Sequence, residues 1–106
     1  MNYRYMRVLV MFDLPTLTSS DLKEYRRFRK YLIQSGFMML QESVYIKLVQ
    51  NSSVAITVTE NVKKNKPPDG LVQVLGITEK QFSKMEIVVG ESKKDVIDSD
   101  ERLVIL

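Results

Sequence analysis

The run Tyr5-Met6-Arg7-Val8-Leu9-Val10-Met11-Phe12 is apolar at odd and even positions alike, interrupted only by Arg7. A strand sends successive side chains to opposite faces, so a run apolar at both parities belongs in the middle of a sheet, covered on at least one side by helices. Leu14-Pro15 ends it, because proline cannot continue a ladder. The rest of the chain must supply flanking strands and a covering layer, and its pattern does so.

Thr16-Leu17-Thr18-Ser19-Ser20 is a loop rich in helix-capping residues. Thr18 with Asp21 three positions on fits a capping box, with Ser20 as a competing cap. A helix is predicted from about Asp21 to Ser35. Leu22, Tyr25, Phe28 and Leu32 form its apolar stripe. Lys23, Arg26, Arg27 and Lys30 form a basic stripe on another face. Gly36 is suited to the left-handed conformation that closes a helix. Phe37 to Gln41 and Val44 to Val49 read as two strands joined at Glu42-Ser43.

The segment after Asn51-Ser52-Ser53 is ambiguous. Val54, Ile56 and Val58 alternate as in a strand, while Val54, Ala55, Val58 and Val62 fit a helical stripe. β-branched propensity favours strand and the order of elements favours helix, which is the assignment adopted. Lys63 to Gly70 is a basic, proline-broken loop. Leu71 to Ile77 is a strand in which Gly76 suggests a bulge. Thr78-Glu79-Lys80-Gln81 is a second capping box opening a short helix through Lys84, and Met85 to Val89 reads as a fifth strand.

The resulting β-α-β-β-α-β order is the ferredoxin-like plan of the α+β class: an antiparallel sheet with helices on one face and strands appended at the C-terminal end. Length supports one core: the chain has 106 residues. Residues 1–90 are expected to form the domain, and residues 91–106 a tail with an edge strand at Leu103 to Leu106 that docks on a second copy or a partner protein. Helices on one face leave the other face bare, and a second copy is the simplest cover for it.

The chain has no histidine and no cysteine. A thiol nucleophile, an imidazole base and a zinc site of nitrogen or sulfur ligands are thereby excluded. Catalysis must come from a carboxylate, with a hard cation such as magnesium, or from Lys, Tyr or Ser. Asp13, a lone carboxylate at the end of the central strand, is the first candidate. It could equally serve only to cap the following turn. The absence of cysteine points to the cytoplasm. No apolar run nears the roughly 20 residues that cross a bilayer, and no small-residue cleavage site follows the N-terminal bases.

The net charge of +3 is unevenly placed. Five of the 13 acids and three of the 16 bases lie from Glu91 onward, so the first ninety residues carry a net +5. Such a body suits a polyanion. The Lys23/Arg26/Arg27/Lys30 stripe could contact phosphates or merely keep its helix soluble. Arg4, Arg7, Lys63, Lys64 and Lys66 could extend it. Tyr3, Tyr5, Tyr31 and Tyr45 could stack on bases, whereas Tyr25 belongs to the core. Ser43 is read as a turn residue.

In their order along the chain, Phe12-Asp13, the basic first helix with Arg27 and Lys30, Gly36 followed by Gln41-Glu42-Ser43-Val44-Tyr45, Thr78-Glu79-Lys80-Gln81-Phe82, and Ser99-Asp100-Glu101-Arg102 before the last strand resemble the small CRISPR-associated adaptation proteins, the Cas-two family. The Tyr3-Arg4-Tyr5-Met6-Arg7 opening and Phe12-Asp13-Leu14-Pro15-Thr16 look most like versions accompanying a Cas9-type effector. The resemblance implies a ferredoxin-like homodimer that docks between dimers of the CRISPR integrase on DNA during spacer acquisition. It also implies a magnesium-dependent endonuclease, acting on RNA or DNA, whose metal-binding aspartate is Asp13. The chain departs from the family in two places: Met39-Leu40 stands where many relatives carry arginine, and Ser43-Val44-Tyr45 replaces Ser-Val-Phe.

In such a dimer, a two-fold axis near the ends of the first strands would bring two Asp13 carboxylates together. At about 4 Å and an effective dielectric near 20 they repel by roughly 4 kcal/mol, which a shared cation relieves. Magnesium fits, being held by one or two carboxylates with retained waters. The alternatives to the nuclease are a DNA-binding scaffold without catalysis and a ferredoxin-like regulatory module.

Overall fold

The computed structural model describes residues 5–90. The expected tail and its edge strand at Leu103 to Leu106, together with Tyr3 and Arg4, lie outside the described residues.

The order is β1 (Met6–Asp13), α1 (Ser19–Gln34), β2 (Met38–Gln41), β3 (Val44–Val49), α2 (Ser52–Lys64), β4 (Leu71–Thr78) and α3 (Glu79–Ser83). The four strands form one sheet in the order β2-β3-β1-β4, antiparallel throughout. This is the ferredoxin-like arrangement, with β1 in the interior as its two-faced apolar pattern requires. Its pairing runs from Met6↔Val49 to Met11↔Val44 on one side and from Met6↔Thr78 to Asp13↔Leu71 on the other.

Strand alternation divides the core. Val8, Val10 and Phe12 of β1 join Tyr45 and Val49 of β3, Phe28 and Leu32 of α1, and Ala55 and Val62 of α2 in the main cluster. Both long helices therefore cover the same sheet face. Leu9, Leu40 and Ile46 point to the opposite face, where Phe82 of α3 packs on them.

Thr18 caps α1 in a reciprocal box with Asp21, which prevails over Ser20 because its hydroxyl reaches the Asp21 N–H while the Asp21 carboxylate takes the Thr18 N–H. At the other end Gly36, at φ +93°, lets its N–H reach the Ile33 carbonyl and the Phe37 N–H reach that of Leu32. The Lys47 ammonium donates to the Ser35 carbonyl, supplying the positive charge that α1 lacks in its last turn.

α2 is a helix despite its β-branched content. Asn51 caps it by accepting from the Val54 N–H, and burial of Ala55 and Val62 against the sheet outweighs the strand preference of the isolated segment. Three expectations fail. The face opposite α1 and α2 is not bare, since Phe82 of α3 packs there on Leu9, Leu40 and Ile46. Register across β4 is unbroken, so Gly76 makes no bulge; it lines a shallow surface hollow together with Met6, Ala55 and Ile56. Met85 to Val89 forms no strand. β-branched composition supplies propensity, but a strand needs a ladder partner, and among the described residues this segment has none, with Val88 and Val89 each 90% exposed.

A candidate metal and nucleic-acid site

Asp13 is the last residue of β1 and is exposed. By alternation it follows Leu9 and Met11 onto the sheet face away from α1 and α2. Its anchor is the residue before it. Phe12 is 6% exposed and lies among three rings, Phe28 at 5.4 Å, Tyr45 at 5.7 Å and Tyr25 at 6.0 Å between centroids. Each such pair contributes about 0.5–1.5 kcal/mol beyond its buried area. The Phe12 N–H also donates to the Ser43 carbonyl, 3.0 Å away. Ser43, at φ +66°, is thus the turn residue expected, and it ties the β2–β3 hairpin to the Asp13 end.

The other side of Asp13 is closed by Gly70, at φ +94°. A Cβ there would lie 2.7 Å from the Asp13 carbonyl oxygen and 2.8 Å from Leu14 Cδ2. Only glycine fits both the conformation and the approach. The backbone of Asp13 is therefore fixed while its carboxylate, with no hydrogen bond or ion pair among the described residues, is free to take a ligand.

This donor set suits a hard cation in kind, since carboxylate oxygen is what magnesium prefers. It is sparse in number. Among the described residues no group of three Asp or Glu converges on one point, so the described part of one chain brings no such set to Asp13. The face around Asp13 supplies a reason to expect more: Met38, Leu48, Leu71 and Leu75 are each about half exposed on it.

The basic stripe lies on the other side of the sheet, on the outer surface of α1. Lys23, Arg26, Arg27 and Lys30 are all exposed. The fold therefore does not bring them to Asp13. Arg27 differs from its neighbours: its Nε donates to Glu24 Oε1 at 2.8 Å, and its Nη2 reaches the carbonyls of Asn65 at 3.1 Å and Lys66 at 3.3 Å. Lys64 and Lys66 are exposed beside it, while Lys63 pairs with Glu60.

Some expected surface residues are interior. Tyr45 is 1% exposed, so its ring is not presented to a base; Tyr31 is half-buried, stacked on Phe28 at 6.3 Å. Tyr5 remains exposed. Arg7 does not extend the basic surface. Its guanidinium grips Glu79 through two bonds of 2.6 and 2.8 Å and lies 4.5 Å over the Phe82 ring, clasping α3 to the sheet. A charge inside an apolar central strand needs a partner, and that was the available signal for this clasp.

Comparison with known proteins follows the same outline. The profile of the CRISPR associated protein Cas2 family matches residues 6–85. The chain is 55% identical over 101 residues to a CRISPR-associated endoribonuclease Cas2 of Treponema denticola, spanning 95% of this chain and 100% of that protein. It is 43% identical over 101 residues to the protein of the same name from Lacticaseibacillus rhamnosus, again 95% and 100% of the two chains. A crystal structure of a Cas2 protein superposes with a TM-score of 0.56 over 84% of this chain and 91% of that one, at 20% identity.

Proposed function

The chain belongs to the CRISPR-associated Cas2 family, and from that premise we propose that it works in spacer acquisition as a homodimer that binds DNA through its helical face. In this reading it bridges integrase dimers and carries a phosphodiesterase centre between its two copies. The observation that carries the proposal is the sheet face bearing Asp13. It is apolar, half exposed and too small to stand alone as a finished core. Covering it with a second copy across a two-fold axis near the Asp13 ends would set two carboxylates face to face. Among the described residues, the exposed segment Met85 to Val89 has strand composition and no ladder, and β4 is an edge strand. Pairing the one with the other across the dimer would satisfy both.

Magnesium held by the two Asp13 carboxylates would polarise a phosphodiester and lower the pKa of a bound water. The chain's own part is to hold Asp13 rigidly, through Phe12 beneath it and Gly70 beside it, and to bind the polyanion. Lys23, Arg26 and Lys30, with Lys64 and Lys66, present charges without base-reading geometry. They support binding that is steep in salt and weak in sequence preference. The names of the relatives place RNA among the substrates to be tried alongside duplex DNA.

A second reading, a DNA-binding scaffold without catalysis, is favoured by the small number of carboxylates at the centre. One substitution separates the two. Asp13→Asn removes a ligand charge from each copy and leaves the helical face intact. The nuclease reading expects a loss of magnesium-dependent cleavage of at least a hundredfold in highly purified protein, with DNA affinity within twofold of wild type. Wild-type protein that cleaves neither RNA nor DNA across a magnesium titration leaves only the scaffold.

A further inference from the structure

Arg27 sits in the basic stripe, but its guanidinium is already engaged on three sides. It bonds Glu24 within α1 and the carbonyls of Asn65 and Lys66 across a gap of 38 and 39 residues. Asn65 is the C-cap of α2, so its carbonyl is among those the helix leaves without intrahelical donors, the Lys66 carbonyl follows directly, and a cation there also meets the negative end of the helix dipole. The chain runs from there through Pro67 and Pro68 to Asp69 and Gly70. Two prolines in succession fix φ at both positions and leave little slack, and Pro67 is buried. Gly70 then abuts the Asp13 carbonyl at a distance no side chain could share. Glu24, the other partner of Arg27, lines the narrow cleft that Leu14, Tyr25, Pro67, Pro68 and Asp69 also line.

We infer that Arg27 is a positioning residue: it braces residues 65–70 against the Asp13 end of β1 and is not a phosphate contact of the basic stripe. The brace has two ends. At one, the planar fork spans Glu24 and two carbonyls at once, a geometry that the single ammonium of lysine cannot reproduce. At the other, the stiff proline pair transmits the hold to Gly70 and so to the backbone that carries the Asp13 carboxylate. Arg26 and Lys30, on the same helix, have no partner of this kind among the described residues and remain available to phosphate. The inference rests on the proposed Asp13 centre only for its consequence at the cation.

The test uses the full chain and three variants, Arg27→Lys, Arg27→Ala and Arg26→Ala. Duplex DNA binding is followed over a salt series, amide hydrogen exchange is followed residue by residue, and manganese ion serves as a paramagnetic probe of the Asp13 amide resonance. Both Arg27 variants should speed exchange at residues 69–72 at least tenfold while the amides in the middle of α1 stay as in wild type. They should also weaken the manganese effect at Asp13 several-fold and leave the salt slope unchanged. Arg26→Ala should lower the slope by about 0.9, the loss of one phosphate contact, and leave exchange alone. A fold weakened as a whole would speed exchange everywhere and overturn the inference. So would a lysine variant that behaves as wild type, or Arg27 variants that flatten the salt slope. Should wild type itself show no manganese effect at Asp13, the metal centre fails as a reading, and the locality of exchange alone decides whether Arg27 braces the segment. An unchanged manganese effect in variants of a wild type that shows one overturns it.

Discussion

Two glycines with nearly the same backbone angle show how much of the Asp13 end is a matter of contact. Gly70 is at φ +94° and Gly90 at φ +95°, but a Cβ at Gly70 would strike backbone while one at Gly90 meets nothing within 4 Å among the described residues. Gly90→Ala should cost about 1 kcal/mol, the conformational term alone. Gly70→Ala should cost about 3 kcal/mol or more, because the Asp13 strand end must move as well. Urea unfolding of the two variants measures the difference, and equal losses would show that the close approach is not maintained in solution. At this scale residues differ in how much of their role is legible from the chain. Asp13 was identifiable as a lone carboxylate in a chain without imidazole or thiol, and Ser43 as a turn residue. The work of Gly70 and Arg27 was hidden, since each depends on what a residue more than thirty positions away brings to it. Arg7 resembles a surface base in sequence for the same reason: its partner Glu79 lies 72 residues off.

The elements were more legible than the contacts between them. Both capping boxes are present as predicted, with Thr18 and Thr78 each accepting from the N–H three residues on and the third residue answering in return. Thr18→Ala should therefore destabilise the fold by about 1 kcal/mol. Thr18→Asp, which keeps an acceptor at the helix N-terminus, should recover most of that; thermal unfolding of the pair checks it, and an alanine variant as stable as wild type removes the cap from the account. Local signals of this kind survive in sequence because donor and acceptor are neighbours. The fifth strand did not survive, because Met85 to Val89 carries the composition of a strand and finds no edge to join among the described residues. α2 is the reverse case, since its β-branched residues argue locally for a strand and only the burial of its Ala55 and Val62 face against the sheet makes it a helix.

At the scale of the whole molecule, the unfinished surface is the half-exposed apolar face on which Asp13 sits. Leu75→Asp places a charge there, opposite Leu9 in the β1–β4 register. It should convert a dimer at micromolar concentration into a monomer by light scattering, and end the dependence of thermal stability on protein concentration. A dimer that tolerates this charge uses some other surface. The ferredoxin-like topology has a consequence in time as well. Of the four strands β1 is made first, and both of its neighbours, β3 and β4, are made later, the β4 partner only with Leu71 to Thr78. During synthesis the most apolar strand of the chain must wait, beside α1, for a ladder that almost the whole domain is needed to supply. Pairings so distant along the chain close slowly, and an unpaired apolar strand is what neighbouring nascent chains capture. The interior position that makes β1 a firm base for Asp13 also makes it the stretch on which a translating cell has most reason to place a chaperone.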